Sequence, residues 1–129
     1  MTTEETKQFI QGYFQAIAAD KSPATLDQFI YDVSLKEHIH VFEAGLPGYQ
    51  IQPEDMIVEG DKVFCRGTVT GVHTGNLFGI PASGRKVEFP LFIVYQITDG
   101  KISNHWMQAD TLLLMQQIGV VPETAEAAH

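Results

Sequence analysis

The sequence predicts a single α+β domain in which a curved antiparallel sheet wraps around N-terminal helices to form a cone with an internal pocket. Two observations carry this prediction. Apolar residues recur at helical spacing through the first 45 residues, and from residue 49 onward the period changes to two, which is typical of strands. The 129 residues, 44% of them hydrophobic, suffice for one hydrophobic core. We expect residues 1–119 to form the domain and the Ala- and Glu-rich segment 120–129 to be a flexible tail.

Three helices are predicted before the sheet. The first covers residues 3–20, where the apolar residues form one stripe. The second begins after Ser22, which suits the N-cap, with Pro23 at the first helical position. The third begins at Ser34, because Ser34 and Glu37 have the spacing of a capping box.

Strands joined by turns of glycine and aspartate follow. The predicted elements are a hairpin of Met56–Glu59 with Lys62–His73, a loop over residues 74–84, a strand from Lys86 to Thr98, a last strand over about 101–109 and a helix over 112–118. Asp99-Gly100 is a strong hairpin signal, because both central residues of such a turn favour positive φ. The last two strands should therefore pair antiparallel.

One face of the strand that ends at His73 carries small, mostly apolar residues. Its members are Val63, Cys65, Gly67, Val69, Gly71 and His73. Small side chains leave room for a helix or a ligand on this face. The opposite face carries Phe64, Thr68, Thr70 and Val72 and is suited to a contact between two copies of the chain. We therefore expect a homodimer through the exposed sheet face.

The composition argues against several classes of function. The net charge is −8 and no arginine-rich run is present, so we expect no nucleic-acid partner. No apolar run approaches the length of a membrane span, and Met1–Glu5 does not resemble the basic start of a signal peptide. The single cysteine, Cys65, cannot form an internal disulfide, so we expect a cytoplasmic protein. The scattered histidines lack the spacing of metal ligands, so no metal site is expected.

Asp110 is the residue on which the functional prediction depends. It follows the last strand, four residues after Trp106, and directly precedes the final helix. A carboxyl group among apolar walls has a raised pKa and suits a general base. An aspartate before a helix is equally a preferred N-cap. The residues themselves leave both interpretations open.

Seven motifs in order carry a resemblance to a known family. They are Leu46–Asp61, Gly71–Gly75, Gly79–Gly84, Asp99–Ile102, Trp106, Asp110 and Gln117–Gly119. Together they resemble the SnoaL-like polyketide cyclase family, which belongs to the nuclear transport factor 2-like superfold. The resemblance covers about residues 5–119. It implies a cone-shaped domain, commonly a dimer, with a mostly apolar pocket and neither metal nor cofactor.

The resemblance also implies a reaction and its residues. The characterised cyclases close a ring by intramolecular aldol condensation, and the aspartate that moves the protons matches Asp110. An assisting histidine of the family falls near Gln96, and glutamine can bond an enolate oxygen but cannot carry a proton. The first strand that many relatives have between the second and third helices is missing or very short near Asp32.

The candidate site therefore has two groups of residues. The predicted catalytic residues are Asp110, His73 and Gln96, and the predicted substrate-binding residues are Trp106, Tyr13, Phe14, His38, Val69, Phe78 and Phe92. His73 and His38 have structural alternatives, as a strand-end histidine bonded to loop backbone and as a partly buried helix residue. Three functions stay open: a cofactor-free cyclase or isomerase acting on a small apolar carbonyl compound, a small-molecule binding protein, and a dimerising scaffold.

Overall fold

The computed structural model of the protein describes residues 1–121, which form four helices and four strands. The helices are α1 (Thr3–Ala19), α2 (Pro23–Phe29), α3 (Val33–Gly45) and α4 (Thr111–Gln117), and the strands are β1 (Gln50–Glu59), β2 (Lys62–Val72), β3 (Lys86–Thr98) and β4 (Lys101–Ala109). None of the helices in this part of the chain is long and apolar enough to cross a membrane. The predicted tail lies almost entirely outside the described residues.

The strands form one antiparallel sheet in the order β1-β2-β3-β4. Burial alternates along β2 and β3, so one face of the sheet packs against the helices while the other faces solvent. The turn between β3 and β4 has positive φ at both Asp99 and Gly100 (51° and 77°), as the sequence predicts. The predicted α+β class, with helices covering one face of a curved sheet, is confirmed.

The small-residue face of β2 points inward, as predicted. Val63, Cys65 and Val69 are buried in the core. A side chain at Gly67 would come within 2.9 Å of the Gln52 carbonyl oxygen, so glycine lets β1 approach closely. Burial raises the pKa of the Cys65 thiol to about 12, which fits a structural thiol that is not reactive.

The predicted start of the third helix is wrong. The helix begins at Val33, and its N-cap is Asp32, whose Oδ1 accepts a hydrogen bond from the Leu35 N–H at 3.3 Å. Hydrogen bonds to β4 explain why the helix begins earlier than predicted. The N–H groups of Tyr31 and Asp32 both donate to the Ile102 carbonyl of β4, at 2.8 and 3.2 Å. These bonds hold the chain extended until Asp32, so the helix starts immediately afterwards.

The strand expected to be missing or very short near Asp32 is reduced to one bridge. Ile30 pairs in parallel with Ile102, and both side chains are buried. This bridge fixes the linker between α2 and α3 against β4. It therefore places Asp32 beside a strand that lies about 70 residues away in sequence.

The outer face of the sheet carries a half-exposed apolar patch. Phe92 and Trp106 are each 49% exposed, and Ile57 is 62% exposed. The rings of Phe64 and Phe92 contact each other with centroids 5.8 Å apart. We call Ile57, Phe64, Phe92 and Trp106 the outer patch.

Candidate functional site

An apolar cavity lies between α1, α3 and the inner face of the sheet. The clear space at its centre is about 30 Å³, and the whole concavity, including the part that opens to solvent, encloses about 470 Å³. Aliphatic and aromatic side chains make up most of the lining, and its polar side chains are Tyr13, His38, Tyr49 and Tyr95. The predicted internal pocket is therefore present, with room at its centre for only one or two water molecules.

Two histidines and an aspartate form a hydrogen-bonded chain that reaches this cavity. His38 Nδ1 lies 3.1 Å from His105 Nε2, and His105 Nδ1 lies 2.7 Å from Asp32 Oδ2. The side chains of His105 and Asp32 are only 6% and 10% exposed. His38 is exposed and also lines the cavity, so it occupies the mouth. We call these three residues the histidine relay.

Local structure explains why these residues meet. His38 lies on α3, three residues after Leu35 and next to Ile39. Its side chain therefore lies at the edge of the face that Leu35 and Ile39 turn toward the core. Alternation along β4 turns His105 inward together with Met107. The backbone bonds to Ile102 bring Asp32 to the same place.

The carboxylate sets the direction in which the relay shares its protons. A carboxylate only accepts, so His105 donates its Nδ1 proton to Asp32. When His105 is neutral, its Nε2 is an acceptor, and the Nδ1–H of His38 donates to it. The Nε2 of His38 then carries a free lone pair and can accept a proton from a bound molecule.

Two tyrosines supply hydroxyl groups to the same cavity. Tyr13 and Tyr95 are about 1% exposed, and their rings meet edge to face with centroids 5.7 Å apart. Burial raises the pKa of both hydroxyls well above the usual range, so both stay protonated. Each hydroxyl can therefore act as a hydrogen-bond donor.

The structure does not bring the three predicted catalytic residues together. Asp110 is exposed and caps α4, its Oδ1 accepting from the Leu113 N–H at 3.0 Å, and it borders a surface groove outside the cavity. Gln96 lies on the outer face, where its Nε2 donates to Asp61 Oδ2 at 2.8 Å. The geometry therefore favours the capping interpretation of Asp110 and gives no support to a shared site.

His73, the third predicted catalytic residue, is fully buried at the end of β2. Its Nδ1 lies 2.8 Å from Ser83 Oγ and accepts from the Ser83 N–H at 3.2 Å. Its Nε2 has no hydrogen-bond partner among residues 1–121. These bonds are those of the alternative interpretation, a strand-end histidine that holds the following loop.

The predicted substrate-binding residues divide into four groups, the last of which is formed by Trp106 and Phe92. Tyr13, His38 and Val69 line the cavity. Phe14 is buried one layer behind the lining, with its ring 6.0 Å from that of Tyr95. Phe78 lies outside the cavity, where its ring contacts Phe42.

The placement of Trp106 and Phe92 in the pocket wall is wrong. Both belong to the outer patch, on strands whose alternate residues point inward. On β4 the inward positions are His105 and Met107, so Trp106 between them faces solvent. An extra residue in β4 lies between Ile102, which pairs with Ile97, and Asn104, which pairs with Gln96, and it reverses the alternation so that His105 faces inward. Neither this bulge nor the second role of Asp32 is indicated by a local sequence signal.

Within residues 1–121, no three His, Cys, Asp or Glu side chains are arranged to hold a metal ion. The histidine relay places one imidazole at the mouth of an apolar cavity, backed by a second imidazole and a carboxylate.

Similar folds occur among solved structures. TsrD from Streptomyces laurentii is 26% identical, with a TM-score of 0.82 over 94% of this chain and 99% of its own. AclR from Streptomyces galilaeus, a candidate hydroxylase, is 22% identical, with a TM-score of 0.83 over 98% of this chain and 91% of its own. A candidate SnoaL-like polyketide cyclase from Jannaschia sp. CCS1 is 18% identical, with a TM-score of 0.78 over 95% and 98%.

A search of functionally curated proteins found no match. A match to a family model identifies the family. The model of the SnoaL-like polyketide cyclases matches residues 20–118, a span that includes α2, α3, all four strands and α4. Since that span covers most of the chain and contains every member of the histidine relay, this protein belongs to the SnoaL-like polyketide cyclase family.

Proposed function

We propose that the protein is a cofactor-free acid–base enzyme of the cyclase or isomerase type that acts on a small apolar carbonyl compound. The single observation that carries the proposal is the histidine relay at the mouth of an apolar cavity. In this proposal His38 is the general base, in place of the predicted Asp110. Family membership supports the reaction type, and the lining supports an apolar substrate.

The first proposed step removes a proton from the carbon next to a carbonyl group. The proton passes to His38 Nε2, the C–H electron pair forms the enolate, and His38 becomes an imidazolium. Its Nδ1–H continues to donate to His105, while His105 donates to Asp32. The negative carboxylate at the end of the relay stabilises the positive charge that develops on His38.

The enolate oxygen needs a hydrogen-bond donor in the cavity. Tyr13 fits this role, since it lines the cavity and burial keeps its hydroxyl protonated. The enolate carbon then either attacks a second carbonyl of the same molecule or takes the proton back at another carbon. In both cases His38 gives up the proton it received, so the enzyme returns to its starting state.

The test measures proton abstraction directly with a defined probe. 2-Tetralone, an apolar ketone with acidic α-protons, is incubated with the protein in D₂O, and exchange of these protons is followed by NMR. We expect wild type to accelerate exchange and His38→Ala to lower the rate about 10²- to 10⁴-fold. His40→Ala is the matched control, because His40 is exposed on the same helix and lies outside the cavity lining.

Two outcomes would contradict the proposal. Exchange that persists in His38→Ala would assign the base to another residue. Binding of 2-tetralone by wild type without accelerated exchange would favour a small-molecule binding protein, the alternative that the narrow clear space and the capping role of Asp110 support.

We also propose that two copies of the chain associate through the outer patch. Half-exposed aromatic side chains on one flat sheet face are costly to leave in water and favour a protein contact. Trp106→Glu should convert a wild-type dimer into a monomer in sedimentation analysis, since it would bury a charge at the contact. A wild-type chain that sediments as a monomer over the micromolar range would exclude this contact.

A further inference from the structure

The loop between β2 and β3 contains a turn with an unusual residue at its tip. The backbones of Leu77 and Ile80 bond each other in both directions, at 3.0 and 2.8 Å, so Phe78 and Gly79 are the two turn residues. Phe78 has φ of 53° and Gly79 has φ of 81°. Turns with two positive φ angles favour Asn-Gly or Gly-Gly, and a bulky aromatic residue rarely adopts this conformation.

Hydrogen bonds and a buried side chain anchor the turn on both sides of Phe78. Leu77 is fully buried, and the Gly75 N–H donates to the Gly45 carbonyl at the end of α3. Asn76 Oδ1 accepts from the Gly79 N–H at 2.9 Å, and His73 holds Ser83 on the far side of the loop. The fold therefore fixes the position of the tip and leaves the choice of residue 78 to another requirement.

That requirement is suggested by what the ring touches. Phe78 is 51% exposed, and its ring meets the ring of Phe42 edge-on, with centroids 5.7 Å apart and planes at 83°. Phe42 lines the cavity, and its ring in turn lies 6.1 Å from that of Tyr49, another lining residue. Phe78 thus extends the aromatic wall of the cavity outward into solvent.

The same wall runs beside the histidine relay. His38 and Phe42 are separated by four residues on α3 and are therefore neighbours on its surface. Both line the cavity. A ligand held against His38 is consequently close to Phe42, whose ring contacts Phe78.

We propose that Phe78 is a specificity-determining residue that selects ligands with a planar aromatic ring beyond the reactive carbonyl. The inference rests on the proposed function and names its substrate class. The clear space of about 30 Å³ accommodates only a small part of such a ligand. The remainder lies along Phe42 and against the exposed face of Phe78, which explains why a strained position carries an aromatic side chain.

The test compares two ketones that differ in one planar ring. Affinities for cyclohexanone and for 2-tetralone are measured by NMR titration of wild type, Phe78→Asn and Phe78→Leu. We expect both substitutions to weaken 2-tetralone roughly 2- to 12-fold, the range of one aromatic pair, and to change cyclohexanone less than about twofold. Phe92→Leu is the matched control, a half-exposed aromatic residue on the outer patch, and it should change neither affinity.

Phe78→Asn also guards against a trivial loss of folding. Asparagine tolerates positive φ, so this variant should melt at or above the wild-type temperature while it binds 2-tetralone less well. Weaker binding of 2-tetralone by a variant that melts at or above the wild-type temperature is expected only where residue 78 contacts the ligand.

The outcomes separate this inference from the proposed function. Unchanged 2-tetralone affinity in both Phe78 variants, or equal weakening of both ketones, overturns the role of Phe78 and leaves the His38 proposal standing. Undiminished proton exchange in His38→Ala overturns that proposal, while the affinities still decide the role of Phe78. A wild-type protein that binds neither ketone overturns both.

Discussion

Two helix N-termini in this protein are built alike and differ in what surrounds them. Asp32 caps α3 through the Leu35 N–H, and Asp110 caps α4 through the Leu113 N–H. In both, one carboxylate oxygen satisfies a backbone donor of the first turn. Asp110 is exposed, whereas Asp32 is 10% exposed and uses its second oxygen to bind His105.

The comparison shows that an aspartate can cap a helix and bind a histidine at the same time. A carboxylate has two oxygens, so one can hold the helix while the other orients a histidine. What separates the two sites is the strand brought beside the cap. The bridge at Ile102 places β4 against Asp32, while the neighbourhood of Asp110 is a surface groove.

Among the substitutions that test this comparison, Asp32→Asn has the largest expected effect. The amide still caps α3, but its NH₂ group can donate to His105 Nδ1, which reverses the protons along the relay and leaves His38 Nε2 protonated. Exchange of 2-tetralone α-protons should fall by about 10- to 100-fold, as for other partners that orient a catalytic histidine. A rate within twofold of wild type would mean that Asp32 only caps.

A smaller effect should come from the contacts that hold α4. Gln117 accepts from the Glu88 N–H and donates to the Glu88 carbonyl, both at 2.8 Å. Gln117→Ala removes both bonds and should lower the free energy of unfolding by about 1–2 kcal/mol, measured by denaturant titration. The exchange rate per folded molecule should not change, and a parallel loss of activity would show that α4 supports the relay.

Removal of the N-cap of α4 tests, at a single residue, whether α4 contributes to stability and not to activity. Asp110→Ala leaves the first-turn N–H of Leu113 without its side-chain acceptor. We expect a loss of about 1 kcal/mol in the free energy of unfolding. A loss of exchange activity well beyond this change in stability would return Asp110 to the mechanism.

The smallest effect is expected for Asp110→Asn, the exact counterpart of the first substitution. Asparagine is as good an N-cap as aspartate, and residue 110 faces solvent. Both exchange rate and melting temperature should stay near the wild-type values. Equal losses of exchange activity in Asp32→Asn and Asp110→Asn would show that the two capping aspartates do not differ in function.

The fold was accessible from sequence because local patterns specify most of it. Ser22 and Pro23 mark the start of α2 as predicted, and Asp99-Gly100 forms the turn between the last strands. The start of α3 was misplaced because a strand about 70 residues away, and not the local capping signal, decides it. The cytoplasmic location and the flexible tail stay predictions.

The site was less accessible, for a different physical reason. Tyr13, His38 and Val69 line the cavity, and each lies on an apolar face that the sequence displays. Trp106 was placed in the pocket wall for its chemistry, but the extra residue after Ile102 reverses the alternation of β4 and turns Trp106 outward. The relay joins residues 67 and 73 positions apart, a proximity that a single sequence does not display.

The bridge between Ile30 and Ile102 also has a consequence for the order in which the protein is made. β4 is the last of the four strands in residues 1–121 and lies at one end of the sheet, so His105 reaches Asp32 and His38 only after that strand has docked. Contacts of such long sequence separation form late in folding. A nascent chain on the ribosome that has not yet released β4 can hold α1, α2 and α3 but lacks the contacts of His105 with His38 and Asp32, so the histidine relay is completed only after β4 has emerged.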